Sequence, residues 1–141
     1  MSTDTIVAIA TALSNSGISI IRISGKDSLD IISRIFKTKS KLEPNKIVYG
    51  KIYKDDDILD TVLVSYFKAP KSYTGEDICE INCHGGNEIT REILELVLEN
   101  GARLATPGEF SKRAFINGKM DLAQSEAVIN LINAKTKTES R

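Results

Sequence analysis

Residues 72–86 read SYTGEDICEINCHGG, from Ser72 to Gly86. The order is turn, strand, turn, helix start, with Gly75 before the strand and Gly85-Gly86 after it. Side chains alternate along a strand. Over residues 76–84, Cys79, Ile81 and Cys83 therefore share one face, and Ile78, Glu80, Asn82 and His84 share the other. The first is a core face. The second lines up a carboxylate, an amide and an imidazole, and Glu80 stands where a strand buried on both sides would carry an apolar residue. This predicts a sheet covered on one face and open on the other.

Upstream, residues 5–10 (TIVAIA) form a short β-prone run and residues 11–17 (TALSNSG) a loop. Residues 18–23 (ISIIRI) are a second strand rich in β-branched side chains. Ile18, Ile20 and Arg22 share a face of it. An arginine closing an apolar face either snorkels to water or aims at an anion or a carboxylate. Ser24 and Asp27 fit an S-x-x-D cap. They open a helix whose stripe is Leu29, Ile32 and Phe36 with Ile31 and Ile35, ending near Lys37. Gly25-Lys26 is not a phosphate loop: a Walker motif needs glycine where Ile20 stands and Ser or Thr where Asp27 stands. After a polar connection over 38–45, residues 46–54 and 58–67 form a hairpin about Asp55-Asp56-Asp57. Three like charges at a hairpin tip read as a solvated turn rather than a cation site.

Downstream of the opening stretch, a helix over 88–100 buries Ile89, Ile93, Leu96 and Val97, and Gly101 ends it as a left-handed C′ residue. Residues 102–105 are a short strand. Thr106 as cap, Pro107 at N1 and Glu109 at N3 then start a short helix. Phe110, Ala114 and Phe115 lie on one face of it, and Asn117-Gly118 closes it. Lys119 and Met120 lie in a link. Asp121 caps a last helix, with Gln124 three residues on and an apolar stripe of Leu122, Val128, Ile129 and Ile132. Such a stripe asks for more protein to pack against, so the chain reads as a piece of something larger. The order β β α β β β α β α α predicts an α+β fold with a mixed or antiparallel sheet and helices packed on one face.

The 141 residues suit one hydrophobic core. Lys+Arg and Asp+Glu are both 19, so no basic footprint for nucleic acid covers the whole chain, although a local patch is compatible with this balance. No apolar run reaches the ~20 residues of a membrane span. The N-terminus lacks a basic n-region and reads as strand rather than signal peptide. Cys79 and Cys83, four residues apart in a strand, sit about 13 Å from one another, too far for a disulfide. His84 is the one histidine, so a four-ligand zinc site is not supported. Free thiols fit a reducing, cytoplasmic setting.

Glu76 and Glu80 share a strand face, but no tryptophan is present for sugar stacking, which weighs against paired glycosidase acids. Cys83 and His84 are adjacent and point to opposite faces, which weighs against a nucleophile pair. A binding constellation remains: Glu80 in mid-strand, Arg22 at a strand end and Lys119 in a link. A carboxylate on an open face can accept two parallel hydrogen bonds from an amidine-like edge, such as that of a pterin or guanine. The competing reading is a structural ion pair between Glu80 and Arg22.

The motifs SYTGED, CHGG and PGEF-x-KRAF-x-NGK-x-DL, with Arg22-Ile23-Ser24-Gly25, closely resemble the N-terminal domain of the tRNA modification GTPase family, MnmE or TrmE. The resemblance runs over essentially the whole chain. It implies a fold similar to the tetrahydrofolate-binding domain of the glycine-cleavage aminomethyltransferase. It also implies binding of 5-formyltetrahydrofolate or 5,10-methylenetetrahydrofolate, with Arg22, Glu80 and Lys119 as contacts, and a homodimer. The family installs an aminomethyl-type group on C5 of wobble uridine in tRNA together with the flavoprotein MnmG (GidA). GTP, magnesium and potassium belong to a GTPase domain whose G-x4-GK[ST] motif does not occur in these 141 residues. On this resemblance residues 1–119 are a folate-binding and dimerisation domain, and 120–141 begin a helical domain. With zero net charge, most tRNA contact is expected elsewhere in the family protein. The alternative is a dimerisation module with no ligand, in which Glu80 and Arg22 pair with each other. A free-standing aminomethyltransferase is a weaker third reading, since no proton-transfer residue stands out.

Overall fold

The computed structural model describes residues 4–11, 18–121, 123, 124, 126–128, 130, 131 and 134. A seven-stranded sheet runs through it in the order β3-β4-β5-β6-β2-β1-β7. The strands are β1 (Ile6–Ile9), β2 (Ser19–Ser24), β3 (Phe36–Lys37), β4 (Ile47–Lys54), β5 (Asp57–Phe67), β6 (Ile78–Cys83) and β7 (Arg103–Leu104). All neighbours are antiparallel except β1 and β7, so the sheet is mixed. The helices are α1 (Ser28–Ile35), α2 (Gly86–Glu99) and α3 (Glu109–Ile116). Helix is also present among the described residues of 123–134. The α+β class and the mixed sheet are as the sequence predicts.

One face of the sheet packs the core. Val7, Ile21, Ile23, Val62, Val64, Cys79, Ile81 and Cys83 meet Ile31, Ile32 and Ile35 of α1 and Ile93, Leu96 and Val97 of α2. Burying one such aliphatic side chain contributes ~1.5–3 kcal/mol, so this layer holds the sheet together. The alternation in β6 holds from Cys79 on: Cys79, Ile81 and Cys83 are fully buried and Glu80 and Asn82 are half-buried on the other face, but Ile78, expected on that open face, is buried as well.

Local differences have local causes. Ser24 does not cap α1. It ends β2, and its hydroxyl donates to Glu76 Oε1 at 2.8 Å and lies 2.7 Å from Thr74 Oγ1. A carboxylate is a stronger partner for a hydroxyl than a backbone N–H. Asp27 occupies the N-cap position without a side-chain cap bond, and its N–H donates to Thr5 Oγ1. The preceding Gly25 has φ +142, and a Cβ there would lie 2.6 Å from Thr5 Cα, so only glycine fits this crossing of β1. Helix α1 stops at Ile35 rather than near Lys37, because Phe36 buries its ring by pairing opposite Ile52 on β4.

Helix α3 starts later than predicted. Gly108 is its N-cap, in the left-handed region at φ 79, so Thr106 and Pro107 precede the helix. Glu109 still folds back to accept the Thr106 N–H at 2.9 Å. Ala114 is buried on α3, but Phe115 is exposed. Asp121 and Gln124 cap each other reciprocally, as the sequence predicts. The expected apolar positions Leu122, Ile129 and Ile132 lie outside the described residues.

Candidate functional site

Arg22 and Glu80 are register partners across β2 and β6. Their side chains stand on the face away from the core, where Arg22 Nε donates to Glu80 Oε2 at 2.7 Å. The arginine side chain is 27% exposed and the glutamate 21%, so the pair is shielded but reachable. The guanidinium carbon lies 5.4 Å from the ring centre of Tyr73 and 5.5 Å from that of Phe110, within cation–π range. One bond joins the pair, side-on. Among the described residues, Glu80 Oε1 and the two Nη atoms of Arg22 make no hydrogen bond. An acceptor and a set of donors are thus left for a ligand.

Arg22 also borders a pocket of about 410 Å³ whose lining includes Ala8, Tyr73, Pro107, Phe110 and Ser111. This volume falls in the range of small-molecule sites, ~300–1,000 Å³. The register explains the arrangement. Arg22 faces Ala8 on β1 and Glu80 on β6, so it stands between the pocket and the carboxylate. The small side chain of Ala8 leaves the space. Tyr73 is held by its hydroxyl, 2.7 Å from Ser111 Oγ of α3, so the loop before β6 and α3 together form the pocket's aromatic wall.

Behind this wall lies an ion network. Arg113 of α3 is buried, its side chain 9% exposed. Its Nη1 donates to the Asp4 carbonyl and to both oxygens of Glu76, and its Nη2 to Asp4 Oδ1 and Glu109 Oε2. Arg103 of β7 makes a bidentate pair with Glu109 at 3.0 and 2.6 Å and also reaches Asp4. The Arg103 guanidinium, chiefly, holds the Glu109 carboxyl down to about 2 from its usual 4.5. Asp4, Glu76 and Glu109 therefore share two arginines, and α3 is tied to the end of β1 and to the loop before β6.

Residues 5–119 match the family model described as GTP-binding protein TrmE N-terminus. The chain belongs to that family. It is 54% identical over 140 residues to a tRNA modification GTPase MnmE of Lachnoclostridium phytofermentans, covering 95% of this chain and 31% of that protein. A protein of the same name from Alkaliphilus oremlandii is 55% identical over 140 residues, covering 94% of this chain and 30% of the relative. One from Thermotoga maritima is 50% identical over 135 residues, covering 96% and 30% respectively. The chain spans about a third of the length of these relatives.

Of the residues the sequence singles out in this TrmE N-terminal chain, the structure brings together Arg22 and Glu80. Lys119 is exposed just past α3, with its N–H donated to the Ala114 carbonyl. Glu76 and Glu80 do not work as a pair, since each has its own arginine. Burial pushes both thiols, Cys79 and Cys83, up to about 12, which leaves them protonated and inert at neutral pH. His84 is exposed; its N–H donates to Asp60 Oδ2, and its ring Nδ1 lies 3.3 Å from the Thr61 carbonyl. Among the described residues no group of three or more His, Cys, Asp or Glu could hold a metal ion, and no helix is long and apolar enough to cross a membrane. Sequence reasoning missed Tyr73, Phe110, Arg103 and Arg113. The spacing of Glu109 and Arg113, four residues apart on a helix, was a readable sign of their pairing. Nothing local marks Tyr73 or Phe110 as neighbours of Arg22.

Proposed function

We propose that this chain is the N-terminal part of a tRNA modification GTPase. In this reading residues 1–119 bind a formyl- or methylene-tetrahydrofolate and mediate homodimerisation, and residues 120–141 begin a helical domain. The whole protein then works in the cytoplasm with a flavoprotein of the MnmG type and helps to install an aminomethyl-type group on C5 of wobble uridine. GTP with magnesium and potassium would act in a separate domain. Family membership and the names of the relatives support the general activity.

The observation that carries the folate reading is the Arg22–Glu80 pair with its unused atoms. The residues fit such a ligand: an open carboxylate oxygen suits the donor edge of a pterin, and the neighbouring aromatic rings suit a flat heterocycle. The bound folate would carry the one-carbon unit. Glu80 would hold the pterin edge, and Arg22 and Lys119 would place positive charge by the formyl oxygen or the glutamate tail. Arg22 must give up or share its contact with Glu80 for this. Titrating 5-formyltetrahydrofolate into the chain and into Glu80→Ala tests the assignment; equal affinities remove Glu80 from the site.

A second reading has the same contact in its favour. In a ligand-free dimerisation module Glu80 and Arg22 pair with each other, and they do so here. Melting the chain with and without 5-formyltetrahydrofolate separates the two, because a ligand that binds only the folded state raises Tm.

A further inference from the structure

We propose that the sheet edge built from β3, β4 and residues 38–46 is a contact surface for the phosphate backbone of a folded RNA. The inference rests on the tRNA-modification reading above for the identity of the RNA. Its physical basis is separate from the folate site.

Charge is segregated along the chain. Residues 37–54 hold six lysines and one glutamate, while the whole chain holds 19 basic and 19 acidic residues; the other 123 residues thus carry five more acids than bases. All six lysines, 37, 39, 41, 46, 51 and 54, are exposed. Among the described residues, Lys46 alone of these forms an ion pair, with Glu43 at 2.6 Å.

Two of the lysines are set against each other. Lys37 and Lys51 are register partners across β3 and β4, on the face opposite the buried Phe36 and Ile52. Like charges directly opposite in a sheet are destabilising. The relief within the chain is the Tyr53 ring, 4.6 Å from Lys37 Nζ. A phosphate between the two ammonium groups would remove the repulsion.

The same strand face carries Ile47, 66% exposed, and Tyr49, 63% exposed, which alternate with buried residues in register with Lys51. The Thr38 hydroxyl donates to the Tyr49 carbonyl at 2.6 Å, which fixes the lysine-bearing segment against β4. A flat exposed ring beside the lysines can stack on an unpaired base of a folded RNA while the ammonium groups hold its phosphates. Lysines also guard edge strands against pairing with other chains, but that role gains nothing from an exposed tyrosine and isoleucine. The surface has a boundary: Lys54 is the register partner of Asp57, next to Asp55 and Asp56, so an anion is accepted at the Lys37–Lys51 end and repelled at the hairpin tip.

The test measures binding of an unmodified tRNA transcript to the 141-residue chain by fluorescence anisotropy across a salt series. Lys37→Gln, Lys39→Gln and Lys51→Gln combined should weaken binding and lower the slope of log Kd against log salt by about 2 to 3. Lys26→Gln, Lys68→Gln and Lys71→Gln combined, an equal charge loss elsewhere, should leave both near wild type. Tyr49→Ala should weaken binding about tenfold, with Tyr49→Phe restoring it. Unaltered melting curves show that each variant folds. Absence of tRNA binding by wild type at low salt, or equal loss in the two triple variants, overturns the proposal. So does sedimentation showing that the first triple variant changes oligomeric state with RNA binding intact, which would make the edge an interface between copies. Failure of the tRNA-modification reading shows separately: wobble uridine would stay fully modified when the gene is deleted, whatever the binding result.

Discussion

Arg22 faces Glu80 across β2 and β6 and closes on it to 2.7 Å, yet the bond uses Nε and Oε2, and the remaining polar atoms of both side chains make no hydrogen bond among the described residues. A pair of this exposure should be weak. Arg22→Ala, Glu80→Ala and the double variant should give a coupling energy of ~0.2–1 kcal/mol in urea unfolding. In the folate titration, by contrast, removing Glu80 should cost ~1.5–3 kcal/mol for each hydrogen bond to the charged group. A coupling well above 2 kcal/mol would assign the pair to holding the fold.

Arg113 is the opposite case. Its buried guanidinium contacts Asp4, Glu76 and Glu109, and its removal takes from Glu76 its arginine while Asp4 and Glu109 keep Arg103. Arg113→Ala should destabilise the chain by ~3–5 kcal/mol. Arg103→Ala, at a more exposed position of the same network, should cost less than Arg113→Ala. Chemical denaturation of the two variants makes the comparison. Similar losses would mean that burial does not govern this network.

Glu109 gives the network a pH dependence. Its folded carboxyl sits at about 2, below the usual 4.5, mainly through its hydrogen bonds from Arg103. A depressed acid stabilises the folded state fully above its unfolded pKa and loses that contribution as pH falls through the folded one. Stability should therefore drop between about pH 4.5 and pH 2, and Glu109→Gln should flatten that part of the profile. Unfolding curves over this range check it; a profile unchanged by the substitution would remove Glu109 as a source.

The thiols offer a readout of core opening. Cys79 and Cys83 are fully buried and shifted up to about 12. Iodoacetamide at neutral pH should label neither in the native chain and both in denaturant. Labelling of either in the native state would show that the layer between β6 and the two core helices opens locally.

Gly50 sits where β4 passes β3. A Cβ there would meet the Lys37 carbonyl at 2.4 Å and the Phe36 ring at 2.5 Å. Gly50→Ala should cost ~1–3 kcal/mol through overpacking, and it should loosen the Lys37–Lys51 pairing that the RNA proposal depends on. Thermal unfolding with the tRNA titration would read both effects.

The sequence by itself determined the sheet's two faces. Period-two alternation in β6 separates Cys79, Ile81 and Cys83 from Glu80 and Asn82, and that depends only on local backbone geometry. The same holds for the hairpin of β4 and β5, the Gly101 helix end and the Asp121–Gln124 cap. Tertiary structure alone decided where competing partners won. Ser24 left a helix cap for Glu76, Phe36 left a helix for β4, and Tyr73 and Phe110 came to flank Arg22. Those outcomes depend on which groups meet across long sequence separations. There a carboxylate or a buried face outweighs a local preference of about 1 kcal/mol.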